Sequence, residues 1–312
     1  MNRGRFAALA SAALATPAAR ALAQTPAAVR IGTVPVESYA LPYYALEEGF
    51  FTRAGLDAVL SSFSGGGAVT SGVLGGALDV GCANVGALSN AHARGLPIRV
   101  IAPGGLYTTS SPTTVLAVLK GSPLVRAADL NGKTIGVSTL KDLQQASVMR
   151  WVERNGGDAP SLKFIELPIP EVPAALRAGR LDAGIVLEPT LSVAKHEIRV
   201  LGKCYDGIAT TLMISSIFAT TGWLEKNGEL ARKLVGALRE AATWANANRG
   251  RSGTILSRVA KLPAAEVAAM NRVIYADHLD VAQFQPVIDA LAQYRFLPRA
   301  FPAGELFWPA RG

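Results

Sequence analysis

The chain has 312 residues, of which 50% are hydrophobic and 17% are charged. This composition is typical of globular proteins and excludes a disordered chain, and the length allows two domains that each bury a core. Lysine and arginine (31) outnumber aspartate and glutamate (23). The basic residues are scattered and are not interleaved with aromatic residues, which argues against a nucleic-acid surface.

The first 23 residues have the organisation of a secretory signal peptide. Arg3 and Arg5 form a basic segment, Ala7–Ala15 is apolar, and Ala21-Leu22-Ala23 is a small-x-small cleavage site. The apolar run is too short to span a bilayer. The sequence therefore predicts cleavage near Ala23 and a periplasmic mature chain that does not span the membrane, with a disordered tail as the alternative for this segment.

Strand and helix patterns alternate through the first third of the mature chain. Strands are predicted at Val29–Val34, Asp57–Phe63, Leu78–Ala83 and Ile98–Ala102. Helices are predicted at Tyr43–Glu48, at Ala68–Leu74, and from a cap at Asn84 to Ala93. Alternation at these lengths indicates a parallel α/β sheet.

The same rhythm returns in the next hundred residues. Strands are predicted at Thr114–Leu119, Lys133–Val137, Leu162–Leu167, Leu181–Leu187 and Ile198–Leu201. Helices are predicted at Leu143–Arg154, preceded by a cap at Ser138, at Val172–Ala178, and in a short helix that opens at Glu188-Pro189. A second parallel sheet follows from this pattern.

A short motif relates the two halves. "GALDVG" at 76–81 returns as "GRLDAG" at 179–184, 103 residues later. Gly76 and Gly179 are expected to end helices in the left-handed conformation, and Asp79 and Asp182 to cap the turns that follow. As an ordinary helix-to-strand turn the motif is only a packing device, but its repetition indicates two lobes built on one plan.

The pattern changes after Leu212–Thr220, a further strand. A long amphipathic helix is predicted at Gly222–Asn248, followed by helices at Ile255–Val259, Ala264–Tyr275 and Val281–Ala292. These helices lack strands of their own and are expected to return to the first lobe. The chain then crosses between lobes near Thr108–Thr113 and Thr210–Ser216, which predicts a hinge and lobe limits of 29–110, 111–213 and 214–312.

Ligands of open parallel sheets bind outside the carboxyl ends of the strands, next to helix N-termini. The segments at these positions are rich in small and hydroxylic residues, and their free amides can hold an anion: Val36–Pro42, Ser64–Gly67, Ala83–Val85, Ser138–Lys141 and Leu187–Thr190. Ser64 and Ser138 either donate to a ligand, cap a helix, or do both.

Other side chains at the predicted cleft leave alternatives open. Glu188 could hold an amine or protonated ring, pair with Lys141, or only stabilise a helix start. Tyrosines could form a wall for an aromatic ligand or belong to the edge of the core: Tyr39, Tyr43, Tyr44 and Tyr107.

The sequence points to no metal, cofactor or catalytic group. Cys82 and Cys204 are expected in different lobes as buried free thiols, and the three histidines have no paired spacing. Ser138-Thr139-Leu140-Lys141 matches S-x-x-K, the nucleophile motif of penicillin-binding enzymes, but its S-D-N and K-T-G partners are missing.

An ordered set of motifs resembles the nitrate/sulfonate/taurine family of ABC-transporter substrate-binding proteins, whose relatives include pyrimidine-precursor binders of the thiamine pathway. The motifs are "EEGFF", "AGLD", "SGGG", "GALDVG", "DLNGKTIGVS" (129–138), "AGRLDAGIVLEP" (178–189) and "FATTGWLEKN" (218–227). The resemblance implies a two-lobed, type II periplasmic-binding-protein fold, in which each lobe is a mainly parallel α/β sheet. It also implies one small ligand in the cleft, hinge closure, and delivery to a membrane permease with its ATPase.

The resemblance places seven positions where the family contacts ligand: Ser64, Gly65, Gly66, Asn84, Ser138, Thr139 and Glu188. With neighbouring cleft and crossover positions added, the candidate ligand-binding residues are these seven with Tyr39, Leu41, Thr109 and Lys141. Many relatives carry an aromatic residue where this chain has Leu187.

The predicted function is that of a monomeric, non-enzymatic periplasmic binding component of an ABC importer. Its ligand is expected to be a small organic anion of the sulfonate or aromatic carboxylate class, because of the helix N-termini and the weak positive charge. Three alternatives remain open: a pyrimidine, thiamine-precursor or other amine-bearing ligand held by Glu188, an enzyme on the same fold, or a sensor module.

Overall fold

The computed structural model describes residues 27–309, so the predicted signal peptide lies outside the described residues. The first sheet is made of β1 (Ala27–Thr33), β2 (Leu56–Ser62), β3 (Val80–Asn84), β4 (Ile98–Pro103) and β12 (Ser215–Thr220). Their order across the sheet is β2-β1-β3-β12-β4. Four of the five residues of β3 are buried, as expected for a central strand covered on both faces.

The second sheet is made of β6 (Thr114–Leu119), β7 (Thr134–Val137), β8 (Lys163–Glu166), β9 (Ala183–Leu187) and β10 (Ile198–Gly202). Their order is β10-β6-β9-β7-β8. Both sheets are mixed: β12 is antiparallel to β3 and β4, and β6 is antiparallel to β9 and β10. The parallel pairing expected from the sequence is present where β1 lies beside β2 and β3, and where β7 lies beside β8 and β9.

The two crossover segments pair with each other in a third, small sheet. It contains β5 (Gly105–Thr108), β11 (Thr211–Met213) and β13 (Ile274–Tyr275), in the order β11-β5-β13. The predicted helix over Ala264–Tyr275 is wrong in its second half, because Ile274 and Tyr275 pair with β5 instead. Backbone pairing joins the two crossovers into one connection between the main sheets, which we call the hinge.

The helices of the first half of the chain are α1 (Leu41–Glu47), α2 (Phe50–Arg53), α3 (Gly66–Leu74), α4 (Val85–Ala93), α5 (Leu143–Arg154) and α6 (Val172–Arg177). Those of the second half are α7 (Thr190–Val193), α8 (Thr221–Lys226), α9 (Gly228–Ala247), α10 (Arg249–Ala260), α11 (Ala264–Ala269) and α12 (Val281–Gln293). The helix predicted at 222–248 is divided at Asn227, whose side chain donates to the Trp223 carbonyl at 3.0 Å.

The C-terminal helices do not form a separate body. Helix α9 packs on α1, α2 and β4. Helix α12 touches α4, which follows β3 of the first sheet, and α5, which follows β7 of the second. The C-terminal helices therefore rest on the first sheet and reach the second.

The repeated motif is a clamp between neighbouring strands. Gly76 and Gly179 end their helices with φ of 75° and 65°, as predicted. Asp79 does not cap its own turn: its Oδ2 accepts from the Arg30 amide at 2.8 Å, while its amide donates to the Arg30 carbonyl at 2.9 Å. The side chain and the amide of Asp79 thus both bond to the backbone of Arg30, and this ring of two hydrogen bonds sets the register of β1 against β3.

The second copy of the motif makes the same ring. The Asp182 Oδ2 accepts from the Thr134 amide at 2.8 Å, and the Asp182 amide donates to the Thr134 carbonyl at 2.9 Å. This fixes β7 against β9. The motif therefore places the two parallel pairs in the same way in both lobes.

A buried polar network joins the hinge to both halves of the chain. Arg272 Nε donates to Glu37 Oε1 at 2.7 Å, and both residues are buried. The preceding residue, Asn271, donates from its amide to Glu188 Oε1 at 3.2 Å and from its side chain to the Pro112 carbonyl at 3.0 Å. The adjacent residues Asn271 and Arg272 thus bond to Glu188, just after β9, and to Glu37, in the segment after β1.

We expect Asp79→Ala to lower the free energy of unfolding by about 1–3 kcal/mol near pH 7, since Arg30 loses its acceptor. Burial raises the pKa of Asp79, but the bonds from Arg30 outweigh it and lower the pKa overall. The contribution is therefore present above the unfolded pKa and is lost as the pH falls through the folded one. Urea unfolding against pH measures it. Asp57→Ala, at an exposed aspartate of β2, is the control, and an equal loss there would contradict the clamp.

We expect Arg272→Met to cost about 3–5 kcal/mol, because it leaves the Glu37 carboxylate buried without its cation. The double variant Glu37→Leu/Arg272→Met should be less destabilised than the sum of the two single variants. Urea unfolding of the wild type, of each single variant and of the double variant measures the coupling between Glu37 and Arg272. Additive losses would show that the pair is not coupled.

Candidate functional site

A cavity of about 970 Å³ lies between the first and second sheets. It is lined by residues that follow β1, β2 and β3 in the first sheet and β7, β8 and β9 in the second. Because ligands of such sheets bind outside the carboxyl ends of the strands, both sheets present their binding edge to one space. Ser64, which follows β2 of the first sheet, and Ser138, which follows β7 of the second, line it together.

The cavity brings together seven of the eleven predicted ligand-binding residues: Tyr39, Ser64, Gly65, Gly66, Asn84, Ser138 and Thr139. Their contact with a ligand stays a prediction. The other four, Leu41, Thr109, Lys141 and Glu188, do not line the cavity.

Leu41, Thr109 and Lys141 lie outside the cavity, in the core, beside a crossover and at the surface, respectively. Leu41 starts α1 and is buried in the core. The Thr109 hydroxyl donates to Asp206 Oδ1 at 2.7 Å beside the crossover. Lys141 is exposed with φ of 55°, and its carbonyl accepts from Asn90.

Glu188 is part of the hinge, although its neighbours Leu187 and Pro189 line the cavity. It is 3% exposed, and it accepts from the Ser192 amide and hydroxyl, both at 3.0 Å. Burial raises its pKa, and these bonds oppose the rise. Of the three predicted roles, these contacts fit the stabilisation of a helix start, here the first turn of α7.

Of the four tyrosines that were candidates for an aromatic wall, only Tyr39 lines the cavity. Tyr43 shares a hydrogen bond with Ser62, and Tyr44 accepts from Arg272 in the hinge network. The Tyr107 hydroxyl donates to Asp206 Oδ1 at 2.7 Å.

The N-terminus of α3 faces the cavity without a side-chain cap. Gly65 is in the cap position, so Ser64 is not the cap. The amides of Gly66, Gly67 and Ala68 have no hydrogen-bond acceptor within residues 27–309. Helix N-termini with free amides attract anions. We call these three amides the amide cradle.

The N-terminus of α5 is different, because a carboxylate already occupies it. Asp142 is the cap and accepts from the Leu143 amide at 2.6 Å. The prediction that Ser138 caps this helix is wrong: the helix begins five residues later, and the Ser138 amide donates to Gln144 Oε1 at 2.8 Å. The sequence reading missed Asp142, although an aspartate before a helix of known start is an ordinary cap signal.

Asp142 also connects the edges of the two main sheets, because Asn84 ends β3 and Asp142 follows β7. Its Oδ2 accepts from Asn84 Nδ2 at 2.8 Å, while Asn84 Oδ1 caps α4 by accepting from the Ala87 amide at 2.6 Å. The carboxylate lies against Gly86, where a Cβ atom would collide with it. Only glycine permits this approach of the two helix starts.

Burial governs the charge of Asp142. The residue is 4% exposed, and burial raises its pKa to about 6 against the bonds from Leu143 and Asn84, with a further rise from Glu166. No cation contacts this carboxylate within the described part of the chain.

Two buried tyrosines adjoin this acid and complete what we call the polar cluster: Tyr39, Asn84, Asp142 and Tyr205. Burial raises the pKa of Tyr39, whose hydroxyl neighbours the Asn84 amide, so it stays protonated at neutral pH. Tyr205 comes from a turn at Cys204–Gly207 and packs edge-on against Tyr107 at 5.2 Å. No sequence signal marked Tyr205, because that turn follows the last strand of the second sheet.

The rest of the cavity surface is mainly apolar. We call it the apolar wall: Leu167, Pro168, Ile169, Pro170, Pro173, Leu187, Val193 and Leu262. The signal for this wall in the sequence is the proline-rich run after β8, for which the sequence analysis predicts no binding role. Leu187 lies here.

The remaining charges that line the cavity are exposed. Arg177 forms an ion pair with Glu197, and Glu166 accepts from the Leu140 amide at 3.0 Å. The lining therefore has no unpaired cation among the described residues. Anion binding here would depend on backbone amides.

The described residues contain no group of three or more histidine, cysteine, aspartate or glutamate side chains suited to a metal. Cys82 and Cys204 are buried free thiols. Between residues 27 and 309, no helix has both the length and the apolar character needed to cross a membrane.

Known proteins resemble this chain along most of its length. A putative aliphatic sulfonates-binding protein of Escherichia coli (strain K12) is 26% identical over 223 residues, 68% of this chain and 65% of that protein. The match thus spans slightly less than two thirds of the relative's length.

Solved structures share the fold. The alkanesulfonate-binding protein SsuA from Xanthomonas axonopodis pv. citri, bound to MOPS, superposes with a TM-score of 0.76 at 20% identity, covering 91% of this chain and 98% of that chain. The desulfurization enzyme DSZB superposes with a TM-score of 0.66 at 17% identity, covering 91% and 96%. The two-lobed periplasmic-binding-protein fold is therefore confirmed, and it occurs in a binding protein and in an enzyme.

The model of one family, described as NMT1/THI5 like, matches residues 37–251. This range begins just before α1 and includes both main sheets except β1, as well as the residues of the polar cluster and the amide cradle. The chain belongs to the NMT1/THI5-like family.

Proposed function

We propose that this protein is the solute-binding component of an ABC importer and captures a small organic anion, a sulfonate or an aromatic carboxylate. The observation that carries the proposal is the cavity at which the carboxyl edges of both sheets meet, with the amide cradle open to it. Membership of the family and the sulfonate-binding relatives support the same role.

The cavity has two regions that suit such a ligand. The amide cradle offers three backbone donors and the positive end of a helix to an anionic group. The apolar wall offers a surface to an alkyl or aryl body, and about 970 Å³ is at the large end for a small-molecule site. An inorganic anion would leave most of this space unfilled.

Capture proceeds by hinge closure in this proposal. The lobes, with limits of 29–110, 111–213 and 214–312, turn about the third sheet, and the ligand shifts the equilibrium because it contacts both lobes only when they are closed. The closed monomer, exported with a signal peptide cleaved near Ala23, delivers its solute to a membrane permease and ATPase. No catalytic role is proposed.

A second candidate is an amine-bearing ligand such as a pyrimidine. Glu188 does not line the cavity, and its oxygens accept from Ser192 and Asn271. Asp142 is a buried carboxylate that does line the cavity and could bind the amine. A thermal-shift screen of sulfonates, aromatic carboxylates and pyrimidines separates the candidates. We expect stabilisation by the two anion classes, and stabilisation by pyrimidines alone would overturn the anion proposal.

We expect Gly67→Pro to weaken anion binding about tenfold or more, because it deletes one donor to a charged acceptor. Proline is tolerated in the first turn of a helix, so α3 should persist. Gly67→Ala is the matched control: it keeps the amide, and its Cβ atom would meet no atom within 4 Å. Isothermal titration with a sulfonate from the screen measures both. Equal affinities of the two variants would show that this amide does not bind the anion.

A further inference from the structure

Asp142 has acceptor capacity that the protein does not use. A carboxylate offers about four acceptor positions. Within the described residues Asp142 accepts from two donors, the Leu143 amide and Asn84 Nδ2, both of which are uncharged. The residue lines the cavity, so a donor of the ligand can reach the remaining positions.

Apart from the positive dipole ends of α4 and α5, no charge around Asp142 compensates it. Glu166, from β8, repels it, and the hydroxyls of Tyr39 and Tyr205 are the other titratable groups that face it. Lys141 is exposed and has no bond to it, and Arg177 is paired with Glu197. A buried charge without a partner is costly, and the raised pKa of Asp142, about 6, expresses that cost.

Helix capping alone does not account for an acid at this place. Asparagine or serine would cap α5 as well as aspartate does. Asn84 already caps α4, and its free side-chain amide holds one Asp142 oxygen in position. This arrangement holds a carboxylate in the lining of the cavity to which the amide cradle is also open.

We propose that Asp142, positioned by Asn84, binds a hydrogen-bond donor of the solute, so that the solute is an organic anion that also carries an amine or a comparable N–H group. The inference rests on the proposed function, because it takes the cavity as the solute site. The anionic group lies at the amide cradle and the nitrogen at Asp142.

Matched pairs of compounds test this selectivity: propane-1-sulfonate with 3-aminopropane-1-sulfonate, and benzenesulfonate with 3-aminobenzenesulfonate. By isothermal titration at pH 7.5, the wild type should prefer at least one amino compound over its partner by about tenfold or more. Asp142→Asn and Asp142→Ser should reduce that preference, measured as the ratio of the two affinities within each variant, to about twofold or less.

Two variants are needed because the asparagine amide would face Asn84 Nδ2, a donor, whereas serine would not. The control is Asp280→Asn, which removes the charge of another helix cap, that of α12, outside the cavity lining. It should keep the wild-type preference. Thermal unfolding of each variant reports whether it is folded.

The pH dependence gives a readout that a purely structural role would not change. As the pH rises from 5 to 7.5, Asp142 ionises, and the preference of the wild type for the amino compound should grow. The same rise should weaken its binding of the plain sulfonate. Both trends should be absent in the Asp142 variants. If neither variant folds, the wild-type trends alone decide.

The outcomes separate the two proposals. Equal binding of both members of each pair by the wild type overturns this inference and leaves the anion proposal in place. Loss of the preference in Asp280→Asn also overturns it. If no sulfonate or carboxylate binds, the proposed function is wrong and this inference falls with it.

Discussion

The close approach of α4 and α5 is the contact on which the geometry of the cavity depends. Asn84 and Asp142 are hydrogen-bonded at 2.8 Å. The Asp142 carboxylate lies so close to Gly86 that a side chain at position 86 would collide with it. Asn84 ends β3 and Asp142 follows β7, so this one contact sets the carboxyl edge of the first sheet against that of the second. Each helix start presents a positive dipole end to the shared carboxylate, which offsets part of the cost of burying it.

The hinge supplies the second connection between the halves. There the crossover strands pair with each other, and the adjacent residues Asn271 and Arg272 bond to Glu188 and Glu37. The two connections differ in kind. The Arg272–Glu37 contact of the hinge is buried in protein, whereas the Asn84–Asp142 bond borders the cavity, where a ligand can compete for its partners or add to them. Occupancy of the cavity and the relative position of the sheets are therefore physically linked.

Local patterns predicted the framework well and the polar details poorly. Helix α5 has the predicted bounds, and the left-handed glycines at 76 and 179 are confirmed, because both depend on nearby residues. The roles of Asp79 and Asp182 were wrong, since their partners lie on a neighbouring strand 49 and 48 residues away. Glu188 was placed at a strand end correctly, but its burial depends on Asn271, 83 residues later.

The sequence by itself determined the two-lobed α/β plan, the repeated clamp motif, and the segments that would line a cleft. These follow from hydrophobic periodicity, glycine positions and helix starts, which act within a few residues. Only the tertiary structure decided which side chains share the cavity. It placed Asp142 beside Asn84, 58 residues away in sequence, moved Glu188 into the hinge, and brought Tyr205 beside Tyr39. The physical reason is that a buried polar group takes its partners from whichever distant element packs against it, and that packing has no local signature.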